Sequence, residues 1–242
     1  MTLLILGALC VGVAAIIGGA TGFGSALVAT PLMLLVGFPV TQVVALNLAV
    51  GLATRATAAV RLRREINWRR VALLGFGSVP GALLGAATVS MLPVSQLKSA
   101  VGVLVVVSGL AMALPTRSTA SPPSSTALTV TGSIGGYLAA TTSLNGPPPV
   151  LLLMRARIPP LSFIADLAGY FIVANVTALA ILWMGDSVTP AMLWPALPLF
   201  LCAALIGNGG GLWIARRLPT RIFRSLVIAL VVAAGIMTVV TA

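Results

Sequence analysis

Apolar residues run along this chain in stretches of about 20, the length that crosses a bilayer's hydrocarbon core. Six uninterrupted runs, 42–60, 71–92, 95–114, 161–184, 190–215 and 219–240, predict helices of spanning length. Two further regions, 2–37 and 126–154, are apolar but broken. GGATGFGS (18–25) interrupts the first, and TTSLNGPPP (141–149) the second. The pattern predicts an all-α polytopic membrane protein with about eight transmembrane segments, two of them broken or re-entrant V shapes.

Composition gives the reason. Of 242 residues only 7% are charged, where soluble domains carry roughly a quarter. Polar side chains cannot cover such a surface, so lipid must be its solvent, and the chain is expected to form one compact membrane domain. No Lys or Arg precedes Arg55. Residues 2–17 therefore lack the positive start of a signal peptide and are expected to stay in the protein.

The formal charge of +11 does not point to nucleic acid, because the basic residues sit in short loops beside apolar runs. The loop 61–70, RLRREINWRR, holds five arginines and is expected in the cytoplasm. Counting spans from it puts both termini outside, in the periplasm of a cell inner membrane. It also makes 2–37 and 126–154 enter and leave on one face each, from opposite sides. Whether 2–37 is a V or two full spans stays open.

The chain repeats itself. A shift of 126 residues lays 68–114 on 194–240 without gaps. Trp68 then meets Trp194, Gly81 and Gly85 meet Gly207 and Gly211, Pro93 meets Pro219, and Gly109 meets Gly235. Earlier in each half the shift is 117, which pairs Gly18-Gly19 with Gly135-Gly136 and Pro31 with Pro148. The expected parts are a first repeat over 1–114, a cytoplasmic linker over 115–125 and a second, inverted repeat over 126–242. Matched helices run in opposite directions by the arginine count, an arrangement recurrent in secondary transporters. The two GxxxG pairs read as close-packing surfaces.

The breaks carry the candidate chemistry. Unpaired backbone at membrane depth survives only inside protein or beside a wet cavity. Each break restarts a helix, whose first N–H groups and positive dipole end suit an anion. The expected substrate-binding residues are Thr21, Gly22, Gly24 and Ser25 in the first break. In the second they are Thr141, Thr142, Ser143, Asn145 and Gly146, with Asn175 from the following helix. The two tips are expected to meet near the midplane around a small anion.

Four further residues within the runs can be read chemically. Arg55 is expected to snorkel or to lure anions at the inner vestibule. Asp166 is the carboxylate inside a span, complementing a helix dipole, pairing with Arg155 or Arg157, or serving as a protonatable coupling group. Asn47 occupies a helix matching that of Asn175, and Asn208 lies within the second GxxxG, where packing is the simpler reading. With no His and three carboxylates, neither a metal cluster nor an acid–base pair can be assembled. No catalytic residue, metal or cofactor is expected.

Several stretches together resemble the TauE/SafE sulfite exporter family, also called the toluene sulfonate uptake permease family. They are GxxxGFGxxxxxxP (18–31), the Gly37-Phe38-Pro39 turn, Ile66-Asn67-Trp68-Arg69, PGALLGA (80–86), MLP (91–93), NGPPPVLLLM (145–154) and RIP (157–159). The resemblance implies an inner-membrane transporter of small anions such as sulfite, sulfonates or related organic acids. Two departures stand out. Gly22-Phe23-Gly24-Ser25-Ala26 occupies the place of the family's GxGGG run, and Ile164 lies where relatives carry a basic residue. The leading expectation is a permease working by alternating access, with a lipid bilayer and a small anion as its partners. An anion channel is the alternative and a membrane-embedded enzyme the weaker one. The anion, direction, coupling ion and any homo-oligomer stay open.

Overall fold

A computed structural model describes residues 2–21, 23–113, 122–215 and 220–240, and among these the regular structure is helical. The helices are α1 (Thr2–Thr21), α2 (Ser25–Val36), α3 (Val40–Arg61), α4 (Trp68–Met91), α5 (Val94–Ala113), α6 (Ser125–Thr142), α7 (Pro147–Arg155), α8 (Pro160–Met184), α9 (Pro190–Leu193), α10 (Ala196–Ala215) and α11 (Thr220–Val240). Both apolar regions with Gly/Pro interruptions are indeed broken, as α1–α2 and α6–α7. The run 190–215 is not the single helix expected. Pro195 supplies no N–H and crowds the preceding turn, so α9 stops at Leu193 and α10 starts at Ala196.

The described helices form two compact units rather than one domain. The first comprises Met1–Val50, Leu92–Leu114 and Thr189–Ala242, the second Gly51–Met91 and Pro115–Val188. α3 thus leaves the first unit after Val50 and continues into the second. Each unit draws helices from both sequence halves. In the first, α1 packs on α10, α5 on α11, and α2 on α1, α5 and α11. In the second, α6 packs on α4, and α8 on α4 and α6, while α7 folds back on α6 and α8.

Glycine makes these pairings close. Side chains added at Gly81 and Gly85 would strike the backbone of α6 at Ser133 and Tyr137. Side chains added at Gly207 and Gly211 would strike α1 at Gly12 and Ile16. Lipid offers no hydrophobic drive between helices, so backbone approach of this kind holds them. The expected packing role of both GxxxG pairs is what the structure shows. The partners Ser133 and Tyr137 stand 121 residues beyond Gly12 and Ile16. The helix ends Thr21 and Thr142 differ by the same 121. This replaces the 117 obtained by aligning glycines, because contact depends on distance from the break rather than on glycine identity. In the first unit, Gly109 abuts Val231 and Val232 while Gly235 abuts Val105 and Val106, a reciprocal set at the 126-residue spacing.

Among the described residues, four helices are long and apolar enough to cross a membrane: Thr2–Ala20, Val40–Arg61, Trp68–Val89 and Pro160–Met184. Shorter apolar helices lie at Ser25–Val36, Ser95–Ala111, Ala196–Gly211 and Val231–Val240. Large side chains such as Phe76, Leu84 and Ile206 are exposed on them, as lipid-facing residues are. All four tryptophans are exposed, each at or near a helix end, where a ring with one polar edge suits the headgroup level. The chain is a multi-pass membrane protein.

Candidate functional site

The first break is short. α1 ends at Thr21 and α2 begins at Ser25, with Gly24 left-handed at φ 90°. Gly22 and the side chain of Thr21 lie outside the described residues. A side chain on Gly18 would come within 2.8 Å of the Ser25 Cβ, so α1 and α2 nearly touch at the hinge. The N-cap of α2, Gly24, has no side chain to cap it. None of its first residues, Gly24 to Leu27, is proline, so four backbone N–H groups are available at this end. Asn208 of α10 borders the same region, its Oδ1 within 2.8 Å of a side chain added at Gly19. Beyond the break, α2 closes at Gly37 (φ 106°), whose N–H donates to Leu34 while that of Phe38 donates to Met33. This is the Schellman pattern, and it realises the predicted Gly-Phe-Pro turn. Further along, the Asn47 Nδ2 donates to the Thr30 hydroxyl at 2.9 Å, tying α3 to α2.

The second break is built differently. α6 ends with Ser143 left-handed at φ 59°, and the Leu144 N–H reaches back to the Leu138 carbonyl. The Thr141 and Thr142 hydroxyls donate to the Tyr137 and Leu138 carbonyls. They therefore present lone pairs rather than the donors expected of them. The start of α7 also differs from expectation. Its first three residues are Pro147, Pro148 and Pro149, and the Val150 N–H is already bonded to the Gly146 carbonyl. Of the four N–H groups a helix start normally offers, three are missing here, and only that of Gly146 remains.

Side chains fill the gap. The Asn145 Nδ2 donates to the Asn175 Oδ1 at 2.8 Å, both residues being buried, so the break is fastened to α8. The amide nitrogen of Asn175 lies 2.9 Å from where a side chain on Gly51 of α3 would begin. One turn along both helices, the Arg55 guanidinium stands 5.2 Å over the Phe171 ring. The tip of that ring is 3.7 Å from where a side chain on Gly146 would begin. Arg55 is thus half-buried against an aromatic face beside the break rather than simply snorkelling outward. A guanidinium held this way keeps its charge and its N–H fork.

Asp166 is fully buried, and neither Arg155 nor Arg157 is its partner in the ion pair. Its Oδ2 accepts from the Arg70 Nε at 2.6 Å, and its Oδ1 accepts from the Asn67 backbone N–H at 2.7 Å. Asn67 in turn caps α4 by accepting from the Arg70 N–H. The expected dipole complement exists, but it belongs to α4 rather than to α8, where the residue sits. Sequence reasoning missed Arg70, Asn67, Phe171 and Tyr170. Phe171 was legible in part, since it lies one helical turn before Asn175. The others are separated in sequence from what they touch.

Among the described residues, a cleft of about 590 Å³ opens at the end of α3, lined by Arg61, Arg63, Arg64, Glu65 and Leu161 among others. Its arginines make this cleft of the second unit strongly basic.

Within the second unit the described residues thus combine a helix break, a half-buried cation beside it and a basic cleft. The particular family follows from comparison. The model of the family described as Sulfite exporter TauE/SafE matches residues 6–238, nearly the whole chain, and the chain belongs to that family. It is 28% identical over 195 residues to the probable sulfite/organosulfonate exporter TauE of Cupriavidus necator, covering 78% of this chain and 76% of that one. No solved structure matches.

Proposed function

We infer that the chain is a secondary transporter that carries small sulfur oxyanions, sulfite or organosulfonates, across the cytoplasmic membrane by alternating access. The observation that carries this is the Asn145–Asn175 hydrogen bond with Arg55 stacked on Phe171 beside it. It puts a fixed positive charge and buried amides next to a helix break, within apolar spans. Ionisable groups within apolar spans are rare and point by default to a substrate or ion path. The name of the Cupriavidus necator relative supplies the sulfur chemistry and the outward direction.

An inverted repeat of about eight segments is consistent with the paired contacts at 121 and 126 residues. The five arginines of 61–70 favour a cytoplasmic position for that loop. In the first break, Gly24 and Ser25 would offer backbone N–H groups to an anion. In the second, Asn145, Gly146, Asn175 and Arg55 would do so mainly through side chains. For Asp166 the two short bonds to α4 support a fastening role, because a coupling proton would have to displace Arg70.

The test is sulfite flux into proteoliposomes. Asn145→Ala should lower the apparent affinity by about tenfold, the worth of one hydrogen bond to a charged ligand. Unchanged saturable flux would remove the second break from the substrate path. Large unsaturable currents would make the protein a channel.

A further inference from the structure

Tyr170 is fully buried in α8, and among the described residues its hydroxyl is the buried side-chain polar atom without a hydrogen-bond partner. Such a group is destabilising as it stands, and phenylalanine would fill the same space without the penalty. Its neighbours explain the choice. The hydroxyl rests on α6 at Gly135, in the space a side chain there would take. From that same point the Asn145 carbonyl oxygen is only 3.4 Å away. The adjacent ring of Phe171, 5.5 Å from that of Tyr170, carries Arg55 on its face. One turn further, Asn175 holds Asn145. Tyr170, Phe171 and Asn175 therefore bring α8 against the second break, and the unpaired hydroxyl lies at its edge.

The geometry points to Tyr170 as a specificity-determining residue that donates its hydroxyl hydrogen to one oxygen of the transported anion. This rests on the second break being the substrate site. Arg55 and the Asn145/Gly146 end of the break are enough for the two oxygens of a carboxylate. A sulfur head group presents three oxygens, and the third can take the Tyr170 proton. A site built to satisfy a buried hydroxyl discriminates against a ligand that leaves it empty. Tyr170 thus selects sulfonate-type heads over carboxylates of the same length.

Methanesulfonate and acetate isolate that difference. The full chain in nanodiscs is titrated with each, and the half-saturating concentration is read from thermal stabilisation. Wild type should prefer methanesulfonate by about tenfold or more. Tyr170→Phe, which removes one oxygen and relieves an unpaired group, should fold at least as stably. It should erase most of the preference by weakening methanesulfonate while leaving acetate unchanged or tighter. Asn145→Ala should weaken both. If Tyr170→Phe keeps the full preference while Asn145→Ala weakens both anions, this inference falls and the site stands. If neither anion stabilises the wild type, or Asn145→Ala changes neither, the site reading falls and the inference with it.

Discussion

The two breaks, one before α2 and one before α7, present opposite kinds of polar group. At the first, the start of α2 keeps all four backbone N–H groups, and its N-cap, Gly24, has no side chain to cap it. At the second, three prolines strip those donors from α7, and buried side chains stand in their place. A backbone nest is made of atoms every residue carries, so it tolerates side-chain change but needs an unusual φ, which Gly24 supplies. A side-chain site is the reverse. The site proposed at the second break would need Asn145, Asn175 and Arg55 individually, and would need α8 to stay where it is. Proline at a helix start gives rigidity at the loss of donors, so the second break is the stiffer and more residue-specific of the two.

That contrast can be broken at its support first. Asp166→Ala strands Arg70 and the Asn67 N–H and frees the start of α8 from α4. Removing one partner of a buried pair costs about 3–5 kcal/mol, so a large fall in melting temperature of the purified protein is expected. A change no larger than that of an exposed control such as Arg63→Ala would show that the pair does not hold α8. Arg55→Gln comes next. It keeps an amide near Phe171 but loses the charge, and anion affinity should fall by about 1.5–3 kcal/mol. The salt dependence of binding should weaken with it. Affinity unchanged at low salt would place the charge off the path.

At the first break, Gly24→Ala forces a side chain into a left-handed backbone at a cost of about 1–2 kcal/mol. Stability should drop while the N–H groups survive, so anion affinity of the folded fraction should change little. A large affinity loss without destabilisation would mean that the glycine gives room for the ligand instead. The smallest effect is a gain. Pro149→Ala restores one N–H to the start of α7 and should tighten anion binding by about 0.5–1.5 kcal/mol. Weaker binding would show that proline rigidity matters more there than a donor.

Much of this was legible before folding. The apolar runs gave eight of the eleven described helices to within three residues at each end, and glycine and proline marked both breaks. Even the missing donors of α7 are written in Pro147-Pro148-Pro149, although a helix start is easily assumed to carry its full set. The break at Pro195 was equally open to reading. Less legible was how α1 and α6 correspond, because Gly18-Gly19 and Gly135-Gly136 look alike and only the helix ends show that they lie at different distances from their breaks. The partner of Asp166 was beyond reach, for Arg70 lies 96 residues away and two nearer arginines were more obvious.

By itself, then, the sequence determined which segments must leave water and where their helices must stop. Those properties are local: they depend on side-chain hydrophobicity and on φ and N–H availability at single residues. Only the tertiary structure decided that α1 belongs with α10 and α6 with α4, that Arg55 lies on Phe171, and that the Tyr170 hydroxyl has no partner among the described residues. Those are matters of which helix faces meet. In lipid, where every apolar face is equally acceptable to the solvent, that choice is made by close backbone contact and a few buried polar atoms.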